Sequence, residues 1–198
     1  MKIIASIAFA VALLLVGGLA LARRTDQRSA ATPMDGATDL PVLAKSSPPV
    51  DATGWLNTAP LKAEDLRGKV VLYDFWTYAC INCQHTLPYV KTWYARYKDD
   101  GLVVLSVHSP ELEFEADPAN VAAFVADHGI KYPVALDPHH TVWRAFGNHY
   151  WPAFYVDDRS GERRYEHFGE GRYDETEDVL RELLGVDPSS PRAQVERA

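Results

Sequence analysis

The segment "YDFWTYACINCQHTLP", from Tyr73 to Pro88, contains the only two cysteines of the 198-residue chain, Cys80 and Cys83. A structural zinc site needs about four ligands, and the sequence has neither a second cysteine pair nor a histidine pair at H-x3-5-H spacing. A structural disulfide across so short a loop would stabilise the fold only slightly. We therefore interpret the two cysteines as a redox pair that cycles between dithiol and disulfide.

The residues around the two cysteines predict where the pair lies in the fold. The apolar run Lys69–Trp76 is typical of a buried strand, and the apolar residues of His85–Lys98 have helical spacing. Cys80 is therefore expected where the carboxyl end of a strand leads into a helix, an edge at which sites form in open α/β sheets. The positive end of a helix favours a thiolate, so we expect Cys80 to be the nucleophile and Cys83 the resolving thiol.

The rest of the chain predicts alternating strands and helices, followed by a hairpin and a last helix. The predicted elements are a strand at 102–108, a helix at 118–129, a short strand at 132–137, a helix at 139–147, paired strands at 153–158 and 163–168, and a helix at 173–185. Asp174 is the predicted cap of the last helix. This order predicts an α/β fold with a central mixed β-sheet flanked by helices.

Several separate positions resemble the thioredoxin superfamily. The matching features are the acid Asp74 six residues before the first cysteine, the "DFW" tripeptide, Pro88 five residues after the second cysteine, and Trp151-Pro152 at the place of the cis-proline loop. The segments "FWTYACINCQHTLP", "VHSPE", "DPANV" and "YWPAFYVDD" more closely resemble the thioredoxin-like domain of DipZ-type proteins. More broadly, they resemble the extracytoplasmic TlpA/ResA-like redoxins.

The resemblance covers about Trp55 to Leu184, most of the chain, and implies a thioredoxin-like fold with a redoxin-type insertion from Glu111 to Gly147. DipZ-type proteins also carry a transmembrane electron-transport domain and a further carboxyl-terminal domain. Neither fits in 198 residues, so the chain is expected to correspond to the redox module alone.

The resemblance also implies a function. It points to a thiol-disulfide oxidoreductase that works outside the cytoplasm through a mixed disulfide, as a monomer and without a cofactor. The implied role is that of a reductant, recharged by a membrane thiol or electron carrier of the DipZ/CcdA type, with exported disulfide proteins or apocytochrome c among the targets. The dipeptide Ile81-Asn82 replaces the Gly-Pro of thioredoxins. Because that dipeptide affects the redox potential, the direction of electron flow is left open.

Asp74 is the third candidate catalytic residue, after the two cysteines. It lies within an apolar strand, where desolvation should raise its proton affinity. We expect it to act as a general acid or base for Cys83, through water if needed. The alternative is a hydrogen-bonded polar residue of the core.

Four residues are candidate substrate-binding residues. Trp151 and Pro152 are expected beside the cysteines, where they would hold a substrate as a short extended strand. Trp76 and Tyr78 are expected to shield the disulfide and contact the substrate, or else to belong to the core. Two polar residues, His108 and Glu111, follow the end of a predicted strand, where they would line the rim of the site or serve as capping or solvent-exposed residues.

The amino-terminal segment 1–22 is predicted to be a signal peptide or a membrane anchor. Lys2 precedes an apolar run that ends with "ALA" at 20–22, which is typical of a signal-peptidase site, and the run is nearly long enough to span a bilayer. Residues 23–53 predict a flexible linker, 54–185 the folded domain and 186–198 a polar tail. The domain is therefore expected in the periplasm or cell envelope, either secreted or membrane-anchored.

Two other functions remain open. A thiol peroxidase of the redoxin type is one, although the P-x-x-x-[TS]-x-x-C pattern fails because position 73 is tyrosine; only Thr77 is in register. A copper- or other metal-binding chaperone that uses the two thiolates is the other, but no metal site is expected. The net charge of −7 and a pI near 5.5 argue against nucleic-acid binding.

Overall fold

The computed structural model describes residues 38–47 and 50–195. In chain order, the strands and α-helices are β1 (Gly54–Leu56), β2 (Val70–Trp76), α1 (Ile81–Tyr97), β3 (Leu102–His108), α2 (Pro118–Asp127), β4 (Val134–Leu136), α3 (Thr141–Ala145), β5 (Ala153–Asp157), β6 (Arg163–Phe168) and α4 (Tyr173–Leu184). Three short 3-10 helices lie at Ala63–Leu66, Lys98–Asp100 and Glu113–Ala116.

The six strands form one mixed sheet in the order β1-β4-β3-β2-β5-β6. The neighbours β2/β3 and β3/β4 are parallel, whereas β1/β4, β2/β5 and β5/β6 are antiparallel. The predicted α/β fold with a mixed sheet is confirmed. The strand β1 was not predicted, because three residues are too few to show a period.

Strand β2 lies at the centre of the sheet and all seven of its residues are buried. Successive side chains of a strand point to opposite faces. Val70, Leu72 and Trp76 accordingly join the apolar cluster that includes Cys83 of α1, and the other apolar residues of the strand join a second cluster on the opposite face of the sheet: Val71, Tyr73 and Phe75. Burial on both faces explains why the strand is apolar without alternation.

Several predicted bounds and one predicted cap of the helices are wrong. The helices predicted at 118–129 and 139–147 are shorter and span Pro118–Asp127 and Thr141–Ala145. Helix α1 begins at Ile81 rather than at His85. Its first turn, in which only Cys83 is buried, has no repeating apolar pattern from which to predict a helix. The backbone N–H of Gln84 nevertheless donates to the Cys80 carbonyl at 3.1 Å. Asp174 is not the cap of α4: Arg172 occupies that position in a left-handed conformation (φ 48°), and Asp174 lies in the first turn.

Part of the segment for which a linker was predicted lies along the edge of the sheet. The backbone N–H of Leu43 donates to the Arg163 carbonyl and that of Arg163 to the Ala44 carbonyl, both at 2.8 Å. The segment after α4 is bound to that helix. The buried Arg181 side chain of α4 donates to the carbonyls of Asp187 and Ser190. These hydrogen bonds attach the described segments before β1 and after α4 to the folded domain.

The predicted signal peptide or anchor at 1–22 lies outside the described residues, as do residues 23–37 and 48–49 of the predicted linker and 196–198 of the predicted tail. Within the ranges that the structure describes, no helix has the length and apolarity needed to cross a membrane.

Candidate active site

Cys80 lies at the junction that the sequence predicts, between the end of β2 and the start of α1. It is the N-cap residue of α1 with extended backbone angles (φ −75°, ψ 114°). Its backbone N–H donates to the Thr77 carbonyl at 3.4 Å, which closes the loop between strand and helix. The side chain is partly exposed, so its sulfur lies both at the positive end of a helix and within reach of a substrate.

Cys83 lies one turn into α1 and is buried, with 3% of its surface exposed. Burial raises the pKa of its thiol, and a hydrogen bond with Cys80 raises it further; a backbone hydrogen bond from Thr77 acts in the opposite direction. The two free cysteines therefore differ in access and proton affinity. This difference is what an attacking thiol and a resolving thiol require.

Asp74 lies on the same face of β2 as the residues that pack against α1, two positions before Trp76. Burial raises its pKa to about 7, and the one hydrogen bond that opposes this comes from the Ser106 hydroxyl at 3.2 Å. Among the described residues, its Oδ1 atom has no hydrogen-bond partner. Asp74 and Cys83 both line a small cavity of about 10 Å³, close to the smallest volume that holds one water.

Trp76 and Tyr78 belong to an aromatic cluster beside the cysteines. Trp76 is buried, and its ring meets His108 edge-on at a centroid distance of 5.0 Å. Tyr78 is partly exposed and stacks on His108 at 5.6 Å, and its hydroxyl donates to the Phe114 carbonyl at 3.0 Å. Of these two candidate substrate-binding residues, Tyr78 is therefore the one with surface available to a substrate.

The peptide bond between Trp151 and Pro152 is cis, as predicted. Pro152 precedes β5, where Ala153 pairs with Phe75 of β2, so the loop meets the end of β2 just before the cysteines. The indole N–H of Trp151 donates to the Ser109 carbonyl at 2.8 Å, and the backbone N–H of Ser109 donates to the Trp76 carbonyl at 3.0 Å. Ser109 thus connects the two loops.

His108 does not line an exposed rim; it is buried, with 2% of its surface exposed. Burial lowers its pKa to about 4, although the nearby Glu115 carboxylate acts to raise it. Its Nε2 atom lies 3.3 Å from the Thr77 hydroxyl. His108 is therefore neutral at physiological pH. Glu111 is exposed and contributes its backbone N–H to Glu115.

Glu115 is the residue of this region that sequence reasoning missed. It is 0% exposed and lies in the short 3-10 helix within the insertion, where its carboxylate accepts hydrogen bonds from both sides of the site. The sequence shows three similar acids between positions 111 and 115. The sequence gives one weak signal for Glu115. It lies three residues after Leu112, the spacing at which an acid can accept a hydrogen bond from the backbone N–H at the start of a helical turn.

No group of three or more histidine, cysteine or acidic side chains placed to hold a metal ion occurs in the part of the chain that the structure describes. Among those described residues, the sulfur atoms of Cys80 and Cys83 thus have no further side-chain ligands of these types.

Comparison with known proteins gives consistent matches. Residues 47–165 match the AhpC/TSA family. Protein DipZ of Mycobacterium tuberculosis (strain CDC 1551 / Oshkosh) is 49% identical over 153 residues, which cover 76% of this chain and 22% of DipZ. The thiol-disulfide oxidoreductase YkuV of Bacillus subtilis (strain 168) is 35% identical over 111 residues, 56% of this chain and 74% of YkuV.

Among solved structures, a thioredoxin-like protein in the oxidized form superposes with a TM-score of 0.64 at 31% identity, over 71% of this chain and 96% of the other. The predicted resemblance to the thioredoxin superfamily and to DipZ-type proteins is confirmed, and with it the thioredoxin-like fold. The chain spans only 22% of the length of DipZ, so the activity of that whole protein does not transfer directly.

Proposed function

Because the chain belongs to the AhpC/TSA family and is a thioredoxin-like thiol-disulfide oxidoreductase, we propose that it reduces protein disulfides outside the cytoplasm. The observation that carries this proposal is the asymmetry of the pair. Cys80 is partly exposed at the start of α1, whereas Cys83 is buried and burial raises its pKa. One thiol is accessible for attack and the other is retained as a proton-bearing resolver.

The proposed reaction has two exchange steps. The Cys80 thiolate attacks one sulfur of a substrate disulfide, a Cys80–substrate bond forms, and the second substrate sulfur leaves as a thiolate that takes up a proton. Cys83 then loses its proton and attacks Cys80, which releases the first substrate sulfur. Overall, two electrons and two protons pass to the substrate, and a Cys80–Cys83 disulfide remains.

Asp74 is the proposed acceptor of the Cys83 proton. It shares the small cavity with Cys83, and its pKa of about 7 suits proton transfer near neutral pH. A water in the cavity would carry the proton between the two groups. In the unreacted protein, the raised pKa of Cys83 keeps this thiol protonated, so deprotonation is needed only once the mixed disulfide has formed.

Exposed apolar side chains near Cys80 support a protein as the substrate. Ile81 is 59% exposed and directly follows Cys80, while Phe114 and Tyr150 are also exposed next to the Tyr78 and Trp151 contacts. Such exposed apolar surface is typical of sites that bind other proteins. In the proposed complex, an extended substrate segment lies against Pro152 and Trp151, with Tyr78 on the other side of the attacking sulfur.

The location and the recharging partner are also proposed. The apolar segment 1–22 and its "ALA" ending support export. The likeness to part of DipZ supports an electron donor of the DipZ/CcdA type in the membrane. Fractionation of cells that express the full chain tests the first point. Co-expression with such a carrier, with the thiol state of Cys80 as the readout, tests the second.

Insulin reduction by the full chain tests the proposed activity, with the Cys80–Cys83 equilibrium against glutathione measured alongside it. A reductase is expected to precipitate insulin chains and to have a potential near that of thioredoxin, about −270 mV, whereas a value near −120 mV would indicate an oxidant. Catalytic consumption of hydrogen peroxide without insulin reduction would favour the peroxidase. Stoichiometric copper binding without reductase activity would favour the chaperone.

A further inference from the structure

Glu115 is a buried acid in an otherwise exposed turn. Its four preceding residues, 111–114, are all exposed, while Glu115 is 0% exposed. Its Oε1 atom accepts from the Thr77 hydroxyl at 2.5 Å and from the Ala79 backbone N–H at 3.0 Å. Its Oε2 atom accepts from the backbone N–H groups of Glu111 and Leu112 at 2.8 and 2.7 Å. One carboxylate therefore joins the insertion to the loop before Cys80.

These hydrogen bonds decide the charge of Glu115. Burial by itself acts to raise its pKa, but the hydrogen bonds from Thr77, Leu112, Ala79 and Glu111 outweigh burial and hold the pKa below its usual value. A carboxylate that accepts several N–H bonds is stabilised in its ionised form. Glu115 thus carries a fixed negative charge at neutral pH, and water does not screen it directly because the side chain is fully buried.

The residues that Glu115 holds are those that touch the redox pair. Ala79 directly precedes Cys80. The Thr77 carbonyl accepts the backbone N–H of Cys80, and the Thr77 backbone also forms a hydrogen bond to Cys83. Thr77 therefore contacts Glu115 through its side chain and both cysteines through its main chain. A shift of the Glu115 carboxylate would move this main chain relative to both sulfur atoms.

His108 supports the same arrangement from the opposite side. Since the Thr77 hydroxyl gives its hydrogen to Glu115, its oxygen accepts from the Nε2–H of the neutral His108 ring. The Thr77 side chain is thus fixed by two partners and is itself buried. No cation lies among the hydrogen-bond partners of Glu115 in the described residues, so the negative charge acts on the loop uncompensated by an ion pair.

We propose that Glu115 is a positioning residue of the redox pair that also sets its direction, because its fixed negative charge is held against the loop that contacts both cysteines and makes the reduced pair a stronger reductant. The charged thiolate belongs to the reduced protein only; a nearby negative charge destabilises that form relative to the disulfide. This inference rests on the proposed function and deepens it, since it names a residue that would favour reduction of substrates over their oxidation.

The decisive measurement is the equilibrium of the full chain with glutathione, in which two glutathione thiols supply two electrons and two protons to the Cys80–Cys83 disulfide and become a glutathione disulfide. In Glu115→Gln the equilibrium constant for reduction of the protein should rise roughly three- to tenfold. The matched control is Glu113→Gln, an exposed acid of the same 3-10 helix, which should leave the constant within twofold. Glu115→Asp retains the charge and should return the constant toward that of the wild type.

If Glu115 has only a structural role, Glu115→Gln should have a lower thermal stability than the wild type but the same equilibrium constant as Glu113→Gln. That result would overturn the proposal, and so would an equilibrium constant lower than that of the wild type. The comparison is between variants, so it holds even if the wild type proves to be an oxidant, a result that would defeat only the proposed direction of the reaction.

Thr77→Val provides a second test if Glu115→Gln does not fold. It removes the hydroxyl between Glu115 and His108, leaves the charge and the other three hydrogen bonds of Glu115, and nearly conserves volume. The rate of insulin reduction should fall at least threefold, and Thr77→Ser, which keeps the hydroxyl, should retain most of it. Equal rates for Thr77→Val and wild type would show that the Glu115 contact does not position the pair.

Discussion

Asp74 and Cys83 line one small cavity from two different elements, the centre of β2 and the first turn of α1. Burial raises the pKa of both groups, that of Asp74 to about 7. Two acids with raised proton affinity that line one cavity with room for about one water form an arrangement in which a proton can pass between them. The burial that raises the pKa of Asp74 suits its proposed role, but it also lowers the stability of the fold when the carboxyl is ionised.

Asp74→Asn should stabilise the fold at pH 8 but not at pH 3.5. The pKa of Asp74 is raised from 3.8 to about 7, so between these values the unfolded chain loses a proton that the folded protein retains. Wild-type stability therefore falls as pH rises through this window and stays lowered above it. The gain in unfolding free energy at pH 8 should be on the order of 2–4 kcal/mol, measured by urea denaturation.

The same variant should slow the resolution step. Release of substrate from the mixed disulfide should become slower near pH 7, since the amide of an asparagine side chain cannot accept the Cys83 proton, while attack by Cys80 should stay unchanged. Stopped-flow measurement between pH 6 and 9 separates the two steps. A resolution rate equal to that of the wild type across this range would reduce Asp74 to a buried structural residue.

Cys80→Ser and Cys83→Ser should fail in different ways. Cys80→Ser should abolish insulin reduction, because Cys83 is buried and cannot reach a substrate disulfide. Cys83→Ser should retain attack but lose resolution, so that mixed disulfides accumulate on Cys80 and appear in mass spectra after non-reducing isolation. Adducts on Cys83 in the Cys80→Ser protein would mean that the two roles are reversed.

His108→Phe should reduce the loss of stability on acidification. Burial lowers the pKa of His108 from 6.5 to about 4, so the unfolded chain binds a proton as pH falls from 6.5 toward 4 while the folded protein does not. The wild type should lose about 2–3 kcal/mol of unfolding free energy to this group by pH 4. His108→Phe keeps an aromatic ring between Trp76 and Tyr78 but removes the titration.

The thermal midpoint of His108→Phe at pH 7 should be lower than that of the wild type, since a hydrogen bond to Thr77 is lost. Its decline between pH 7 and pH 4.5 should nevertheless be smaller. The exposed His139 gives the control, His139→Gln, which should follow the wild-type decline. An identical decline in His108→Phe and wild type would contradict the assigned pKa shift.

Trp151→Phe should weaken the binding of protein substrates more than that of small disulfides. The change removes the N–H that donates to the Ser109 carbonyl at 2.8 Å, while a ring can still pack on Trp143, whose centroid lies 4.1 Å from that of Trp151. The loop should therefore move relative to the end of β2. The KM for insulin should rise severalfold, and the rate with a small aromatic disulfide should change less than twofold.

Trp55→Phe, in β1 at the far edge of the sheet, is the control for the loss of an indole. If the KM for insulin is the same in Trp151→Phe and Trp55→Phe, Trp151 does not bind the protein substrate in the way proposed.

The sequence alone determined the parts of this protein that depend on neighbouring residues. The apolar run of β2 predicted a buried strand, and the helical spacing after it predicted α1. Together they placed the cysteine pair at the junction of the two. The position of Asp74 within that run predicted a buried acid, because no register of a central strand would expose it, and its raised pKa follows from that burial.

Tertiary structure decided the features that depend on contacts between distant parts of the chain. Glu115 lies in a sequence as polar as that of any exposed turn, and it is buried only because the fold brings it against Thr77, 38 residues earlier in the chain. The three-residue strand β1 likewise exists only through its pairing with β4. The physical reason is the same in both cases. The residues that bury Glu115 and the strand that pairs with β1 lie far away in sequence, so a local sequence pattern cannot predict these contacts.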